Sequence, residues 1–423
     1  MGKFVNATSG ISKSYRGRDT TSVRYLVPRP SYYSALRDRA LHTPVSADRQ
    51  ALLEWFRSAH GFYRKRLRKV LGWESVPVLE RMDIEYILPT RFRSSLIASP
   101  TSGTTGQIIT VINDLEEYKF RQALAYRQFA FCDLPRNVRQ LILADVDSRR
   151  EFLRESTLGL GQYWFSQWVI SASASPEEQL GALYRVRPHL LTGFASALVR
   201  LAIASPRTIP RQDLRVVSPG GEYLCAGWRS ILRERYGCAV IDRYGCTECG
   251  AIGWECPLCG AYHANGDEMM IETGLKGVII TPLFLRVQPL LRYHLGDYVD
   301  WVQDGPTSCS IKLPVIRIRE GRRDDWLYDG NDIPVSPLAF QFERYARLKQ
   351  WKIAQRLDGN IVLFIAWEGR LSDGDRRALI REVRNVVAER EVEVIGDVAG
   401  WSAMGKFKRV LCKYVPKNRQ PYT

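Results

Sequence analysis

The chain has 423 residues, 45% hydrophobic and 25% charged, with 61 Lys and Arg against 45 Asp and Glu, a formal net charge of +16. That is globular composition, long enough for two or three domains, and no apolar run reaches the ~18 residues of a membrane span. The opening residues, MGKFVNATSGISKSYRG, lack the apolar core of a secretory signal, so the expected location is the cytoplasm. The basic balance suits anionic partners: nucleic acid, nucleotides, coenzyme A or an acidic carrier protein.

Residues 31–75 predict helices, with Leu36, Leu41, Leu52, Leu53, Trp55 and Phe56 at helical intervals. The run Arg64-Lys65-Arg66-Leu67-Arg68-Lys69 reads as a solvated helix face. Next come two strand-like runs, Leu96-Ile97-Ala98 and Ile108-Ile109-Thr110-Val111. Between them lies SPTSGTTGQ, Ser99 to Gln107, with five hydroxyl side chains and two glycines. Glycine lets backbone N–H groups converge on an anion, and hydroxyls add donors to phosphate oxygens. The common nucleotide loop needs a lysine after its last glycine, and none follows Gly106.

From about 94 to 320, short apolar runs (140–144, 190–193, 215–217) alternate with helix-like stretches (116–131, 176–187, 195–204, 226–236). This alternation predicts α/β layers with largely parallel strands. Residues 277–281 and 298–302 read as strands of a smaller β region. A compact unit follows: a strand at 360–366, a helix at 372–390, a strand at 391–395 and a basic tail. The charged turn Gly321-Arg322-Arg323-Asp324-Asp325 marks the boundary. The expected organisation is a large multi-layer α/β N-terminal domain, 1–322, and a small mobile α+β C-terminal domain, 323–423.

Further motifs follow the hydroxyl-rich loop in order: Ser218-Pro219-Gly220-Gly221-Glu222, Tyr244-Gly245-Cys246-Thr247-Glu248, Leu291-Arg292-Tyr293-His294-Leu295-Gly296-Asp297, the turn at 321–325, and Met404-Gly405-Lys406-Phe407-Lys408. Together, over residues 85–412, they resemble the adenylate-forming superfamily of acyl-CoA synthetases, closest to its phenylacetate–CoA ligase branch and capsule-biosynthesis-like relatives. The resemblance implies attack of a carboxylate on the α-phosphorus of ATP to give acyl-AMP, then displacement of AMP by a thiol. Thr101, Ser102, Gly103, Thr104, Thr105 and Gly106 would hold the β- and γ-phosphates. Gly220, Gly221 and Glu222 would border the adenine. Tyr244, followed by Gly245, would lie against the base, and Thr247 and Glu248 would face the α-phosphate and Mg²⁺. Asp297 would accept the ribose hydroxyls, Arg322 would contact ribose or phosphate, and Lys406 would reach the α-phosphate and the attacking carboxylate. Lys408 is the alternative to Lys406, and Asp324 would be the hinge of the small domain. This chain departs from the pattern with Gln107-Ile108 where relatives often carry Lys-Pro, and with His294-Leu295 in place of Arg-Thr.

The aromatic, glycine-rich stretch Gly159–Trp168 falls where relatives contact the acid, although such stripes more often belong to the core. If it lines the pocket, an aryl or compact apolar acid fits. Cys256-Pro257-Leu258-Cys259-Gly260-Ala261-Tyr262-His263 has knuckle spacing, which favours tetrahedral zinc. In the resembled branch further cysteines stand shortly before the Gly-Arg turn, which implies Cys256, Cys259, His263 and Cys309 as the ligands; Cys249 is a rival fourth. The partners implied are a small carboxylic acid and coenzyme A, an acyl carrier protein or an amine; a homodimer is allowed and a membrane is not. Two rival readings are a zinc-containing nucleic-acid binder, which leaves the ordered nucleotide motifs unexplained, and a scaffold without turnover.

Overall fold

The computed structural model describes residues 30–42, 47–87, 96–100, 109–144, 153–172, 174–205, 213–224, 226–274, 277–303, 309–319, 327–332, 334–335, 342, 345, 347–396 and 410–414. Among them, no helix is long and apolar enough to cross a membrane.

The large sheet has four strands in parallel at its centre: Val216–Gly220, Leu190–Phe194, Asn137–Ala144 and Tyr163–Ser171. Neighbouring residues on these strands enter opposite cores. Leu190 and Val216 face one cluster with Leu124, Phe129 and Phe165, while Leu191 and Val217 face another. The second cluster is covered by helices Pro176–Val186, Ala195–Ala204 and Ala226–Tyr236, through residues such as Leu183, Leu198 and Leu232. Burial on both faces is why these strands are short apolar runs rather than alternating ones. Beyond Val216–Gly220 the sheet continues through Arg243–Cys246, Gly250–Glu255, Tyr262–Ala264, Val315–Arg319 and Tyr298–Trp301, antiparallel from Gly250 onward.

The α/β expectation holds, and helices 195–204 and 226–236 fall where periodicity puts them. The stretch from Gly159 to Trp168 is instead part of a hairpin, Leu153–Leu160 with Tyr163–Ser171, at the sheet edge. Gly161 turns it at φ +57°, a conformation that suits glycine. Phe165 enters the core, whereas Trp164 is 48% exposed and lies over Gly159.

From Leu327 on, residues gather round their own core. Its sheet runs Val392–Ile395, Ile361–Trp367, Leu348–Gln355, Val410–Cys412. Helix Asp373–Val387 packs on it through Leu379, Val383 and Val387, and starts with a capping box between Ser372 and Asp375. This is the expected α+β unit, with two strands, Leu348–Gln355 and Val410–Cys412, that the sequence pattern did not reveal.

Candidate active site and metal centre

Three of the motifs converge at the carboxyl ends of the parallel strands, the usual place for ligands in open α/β sheets. Gly220 closes its strand and pairs with Arg243. Gly221 has φ +75°, and a Cβ there would lie 3.2 Å from the Phe194 ring, so both conformation and space require glycine. The Glu222 carboxylate accepts from Ser196 N–H at 2.7 Å and from its hydroxyl at 3.1 Å. Helix Ala195–Ala204 has no side-chain cap from Phe194, so Glu222 supplies the negative charge at its N-terminus. That is a positioning task in addition to any contact with adenine.

One residue beyond Arg243, the Tyr244 hydroxyl donates to Asp297 Oδ2 at 3.1 Å. At Gly245 a Cβ would sit 2.5 Å from Gly250 O, so the two strands of the hairpin close only over glycine. Arg121, from helix Leu115–Ala125, donates to the carbonyls of Glu248, at 3.0 Å, and Thr247. Glu248 is 3% exposed. Its carboxylate accepts from Arg81 and from the Tyr293 hydroxyl at 3.3 Å. Arg81 is carried there because the chain at Leu79 pairs with 292–294: Leu79 N–H donates to Arg292 O and His294 N–H to Leu79 O, each at 2.9 Å. Sequence reasoning missed Arg81 and Arg121. Neither sits in a motif, and only the fold brings them to Glu248.

Thr101, Ser102, Gly103, Thr104, Thr105 and Gly106 lie outside the described residues, as do Arg322, Asp324, Lys406 and Lys408. Strands Leu96–Pro100 and Thr110–Asp114 on either side of the hydroxyl-rich loop pair antiparallel, with Pro100 opposite Thr110.

The second site is a cluster of four donors. Sγ of Cys256, Cys259 and Cys309 and a nitrogen of His263 all lie within 4.8 Å of one another. Cys256 Sγ is 3.8 Å from Cys309 Sγ, and His263 Nε2 is 3.6 Å from both Cys259 Sγ and Cys309 Sγ. A tetrahedral zinc with bonds of ~2.3 Å to sulfur and ~2.0 Å to nitrogen would space its donors by roughly 3.5–3.8 Å. His263 Nδ1 is 2.9 Å from Leu313 O, which makes it the donor nitrogen and leaves Nε2 free to bind metal. Burial lowers the His263 pKa, which keeps the ring neutral, as a ligand must be. Gly260, at φ +74°, turns the knuckle, and Leu258 N–H points at Cys256 Sγ at 3.4 Å. Donor set and spacing therefore fit zinc. Cys249, the rival fourth ligand, lies instead beside Cys246 in the Thr247–Glu248 turn.

No protein-family profile and no curated protein matches the sequence. Solved structures do match it. A 2-hydroxyisobutyryl-CoA ligase in its postadenylation state with 2-HIB-AMP aligns over 91% of this chain and 90% of that one, with TM-score 0.68 and 15% identity. The chain has the adenylate-forming ligase fold. An anthranilate CoA ligase bound to anthranoyl-AMP gives TM-score 0.53 and 17% identity over 75% of this chain and 66% of that one. For a benzoate CoA ligase from Burkholderia xenovorans LB400 the values are 0.52 and 14%, over 71% and 66%. The placement of Gly220, Tyr244 and Asp297 and the Arg81–Glu248 pair are read from this chain alone.

Proposed function

We propose that this protein is an AMP-forming acid–CoA ligase of the phenylacetate–CoA ligase and capsule-biosynthesis-like branch. It would activate a carboxylic acid with ATP and pass the acyl group to coenzyme A. The observation that carries this reading is the convergence of the 220–222, 244–248 and 293–297 motifs at one end of the parallel sheet, with Tyr244 hydrogen-bonded to Asp297. The ligase names of the matching structures agree with it.

The chemistry follows from the charges. When a carboxylate oxygen attacks the α-phosphorus, negative charge builds on the phosphate oxygens and on the departing pyrophosphate. Thr101–Gly106 would supply N–H and hydroxyl donors to the β- and γ-phosphates. Lys406 would place a cation between the α-phosphate and the incoming acid. Asp297, oriented by the Tyr244 hydroxyl, offers a carboxylate to the ribose diol. Glu248 offers hard oxygen of the kind Mg²⁺ prefers; Mg²⁺, when bound, would neutralise phosphate charge. Arg81 and the Tyr293 hydroxyl hold that carboxylate in place.

The division near 322, with Asp324 as hinge and Arg322 on the ribose or phosphate, completes the scheme: the small domain would present Lys406 for the first step and another face for the second. The Cys256, Cys259, His263 and Cys309 cluster would hold zinc as a structural pin between two loops. The protein would work in the cytoplasm. An aryl or compact apolar acid is the preferred substrate.

The test is a library of carboxylic acids screened for pyrophosphate release, with products weighed with and without coenzyme A. Release with one acid class, and an acyl-CoA product, supports the reading. Release without acyl-CoA moves the acceptor to a carrier-protein thiol or an amine. No release with any acid, alongside salt-dependent nucleic-acid binding, would favour the nucleic-acid alternative.

A further inference from the structure

Cys246 and Cys249 end the segment Cys246-Thr247-Glu248-Cys249, so the two residues proposed to face the α-phosphate and Mg²⁺ lie between two thiols. The segment is the turn from strand Arg243–Cys246 to strand Gly250–Glu255, with Cys246 opposite Gly250. Gly250, at φ +80°, brings the chain back over the first strand. Cys249 N–H donates to Cys246 Sγ at 3.2 Å. The ends of a four-residue turn lie within ~7 Å, and a disulfide spans Cα separations of ~4.4–6.8 Å. The pair therefore has the reach to close without rearranging the sheet.

The surroundings suit thiol chemistry. Cys249 is fully buried and Cys246 half-buried, so a reagent meets Cys246 first. Arg121 holds the carbonyls of Thr247 and Glu248, and burial pushes the Cys249 thiol well up, so the half-buried Cys246 is the thiol that starts the exchange. Neither sulfur belongs to the metal cluster. The adenylation scheme gives the two cysteines no part.

We propose that Cys246 and Cys249 form a reversible disulfide site, oxidised by a small-molecule disulfide, that closes across the Thr247–Glu248 turn. The Cys246 thiolate attacks one sulfur of the small disulfide, forming a mixed disulfide and expelling a thiolate that takes up the proton Cys246 lost. Cys249, deprotonated in turn, attacks Cys246 Sγ and expels the second small thiol. The balance is two protein thiols and one small disulfide in, one protein disulfide and two small thiols out. An external thiol runs the exchange backwards. A disulfide ring in a turn this tight resets the peptide planes whose carbonyls Arg121 holds, and moves Glu248 away from its working position. The effect on activity rests on the functional reading above; the disulfide itself does not.

The experiment uses the full chain in its native state with oxidised glutathione, then denaturation, alkylation and digestion by trypsin with a glutamate-specific protease. Cleavage after Arg243, Glu248 and Glu255 isolates Tyr244–Glu248 and Cys249–Glu255, each with one cysteine. The expected product is these two peptides joined, and separated by dithiothreitol. Recovery of both cysteines alkylated, of Cys246 only as a mixed disulfide, or of either cysteine joined to Cys256, Cys259 or Cys309 would overturn the proposal. In parallel, oxidation should slow pyrophosphate release by up to ~10²-fold, the cost of displacing a positioned group by about 1 Å, and dithiothreitol should restore it. Cys246→Ser, which lacks the thiol that meets the oxidant first, should keep its untreated rate under oxidant; if that variant does not fold, Cys246→Ala takes its place. Joined peptides with an unchanged rate would overturn the coupling to catalysis. Joined peptides from a protein whose reduced form releases no pyrophosphate with any acid would uphold the site and sink the functional reading instead.

Discussion

Tyr244 donates its hydroxyl hydrogen bond to Asp297 Oδ2 at 3.1 Å, across 53 positions of sequence. A ribose diol needs a carboxylate with both oxygens suitably turned, and this bond fixes the turn. A hydrogen bond to a charged group contributes ~1.5–3 kcal/mol, and one between neutral groups less. Asp297→Ala should thus raise the KM for ATP by roughly 10–100-fold, the same energy expressed as a ratio. Tyr244→Phe keeps the ring and should cost only severalfold. Kinetics of pyrophosphate release against ATP and against the acid decide it. If the acid KM shifts and the ATP KM stays put, Asp297 is not on the ribose.

Lys406 carries the charge argument. Loss of one donor to a developing oxyanion typically costs ~10²–10³ in rate. Lys406→Ala should slow acyl-AMP formation to that degree, while thioester formation from supplied acyl-AMP continues. Normal adenylation in this variant, with failure in Lys408→Ala, would transfer the role to Lys408.

Glu248 is claimed by two cations, Arg81 in this structure and Mg²⁺ in the proposed complex. Glu248→Gln keeps the shape and removes the charge both depend on. Adenylation should slow and the Mg²⁺ concentration for half-maximal rate should rise. Arg81→Lys should retain most activity, and Arg81→Ala should lose stability because a buried carboxylate is left without its partner. A Glu248→Gln protein with lowered Tm and unchanged Mg²⁺ dependence would make Glu248 purely structural.

Legibility in the sequence divides along physical lines. Helix 195–204 was readable because its apolar positions repeat at helical spacing, and Val216-Val217 because a strand buried on both faces is a plain apolar run. Gly221 and Gly245 were readable as motif residues, and their reason is now spatial: a ring and a carbonyl where a Cβ would go. The hairpin 153–171 was not readable, because its inner strand turns aromatic Phe165 into the core and aromatic Trp164 outward, so residue type does not mark the buried face. Arg81 was hidden for another reason. Its partner is 167 residues away, and nothing local marks an arginine that will pair with a buried glutamate. Glu222 shows the converse case: the motif named it, but its hold on the N-terminus of helix 195–204 follows only from the fold.

Asp242 predicts a pH dependence of stability. Burial raises its carboxyl pKa from 3.8 to about 7, against the opposing hydrogen bonds from the Tyr262 hydroxyl, at 2.6 Å, and Arg243 N–H, at 2.8 Å. Between 3.8 and about 7 the folded state holds a proton that the unfolded state has lost. Stability from this group therefore falls as pH rises through that window, and each pKa unit corresponds to ~1.4 kcal/mol. Glu268, also raised to about 7, first by burial, adds to the same slope. Asp242→Asn keeps an acceptor for Tyr262 and removes the titration. Its urea midpoint should change less across the window than that of the parent protein; an equal change would place the slope elsewhere.

The metal cluster gives the last prediction. A closed tetrahedral site takes about one zinc per chain. The ligands join the knuckle at 256–263 to Cys309, and His263 is in turn held by the Leu313 carbonyl. Trp254, Ile311 and Leu313 pack around the same sulfurs, so the ion would tie two loops into one small core. In isolated zinc-finger peptides such an ion contributes roughly 10–16 kcal/mol of apparent binding, and a domain with a large core of its own should depend on it less. Cys256→Ser should lower both zinc content and Tm, and the protein that remains folded should still release pyrophosphate, because no ligand belongs to the nucleotide motifs. Cys309→Ser should lose zinc likewise. Cys249→Ser should keep it, since Cys249 pairs with Cys246. Zinc retained by Cys309→Ser and lost by Cys249→Ser would break the bridge between the loops and return the fourth ligand to the adenylation turn.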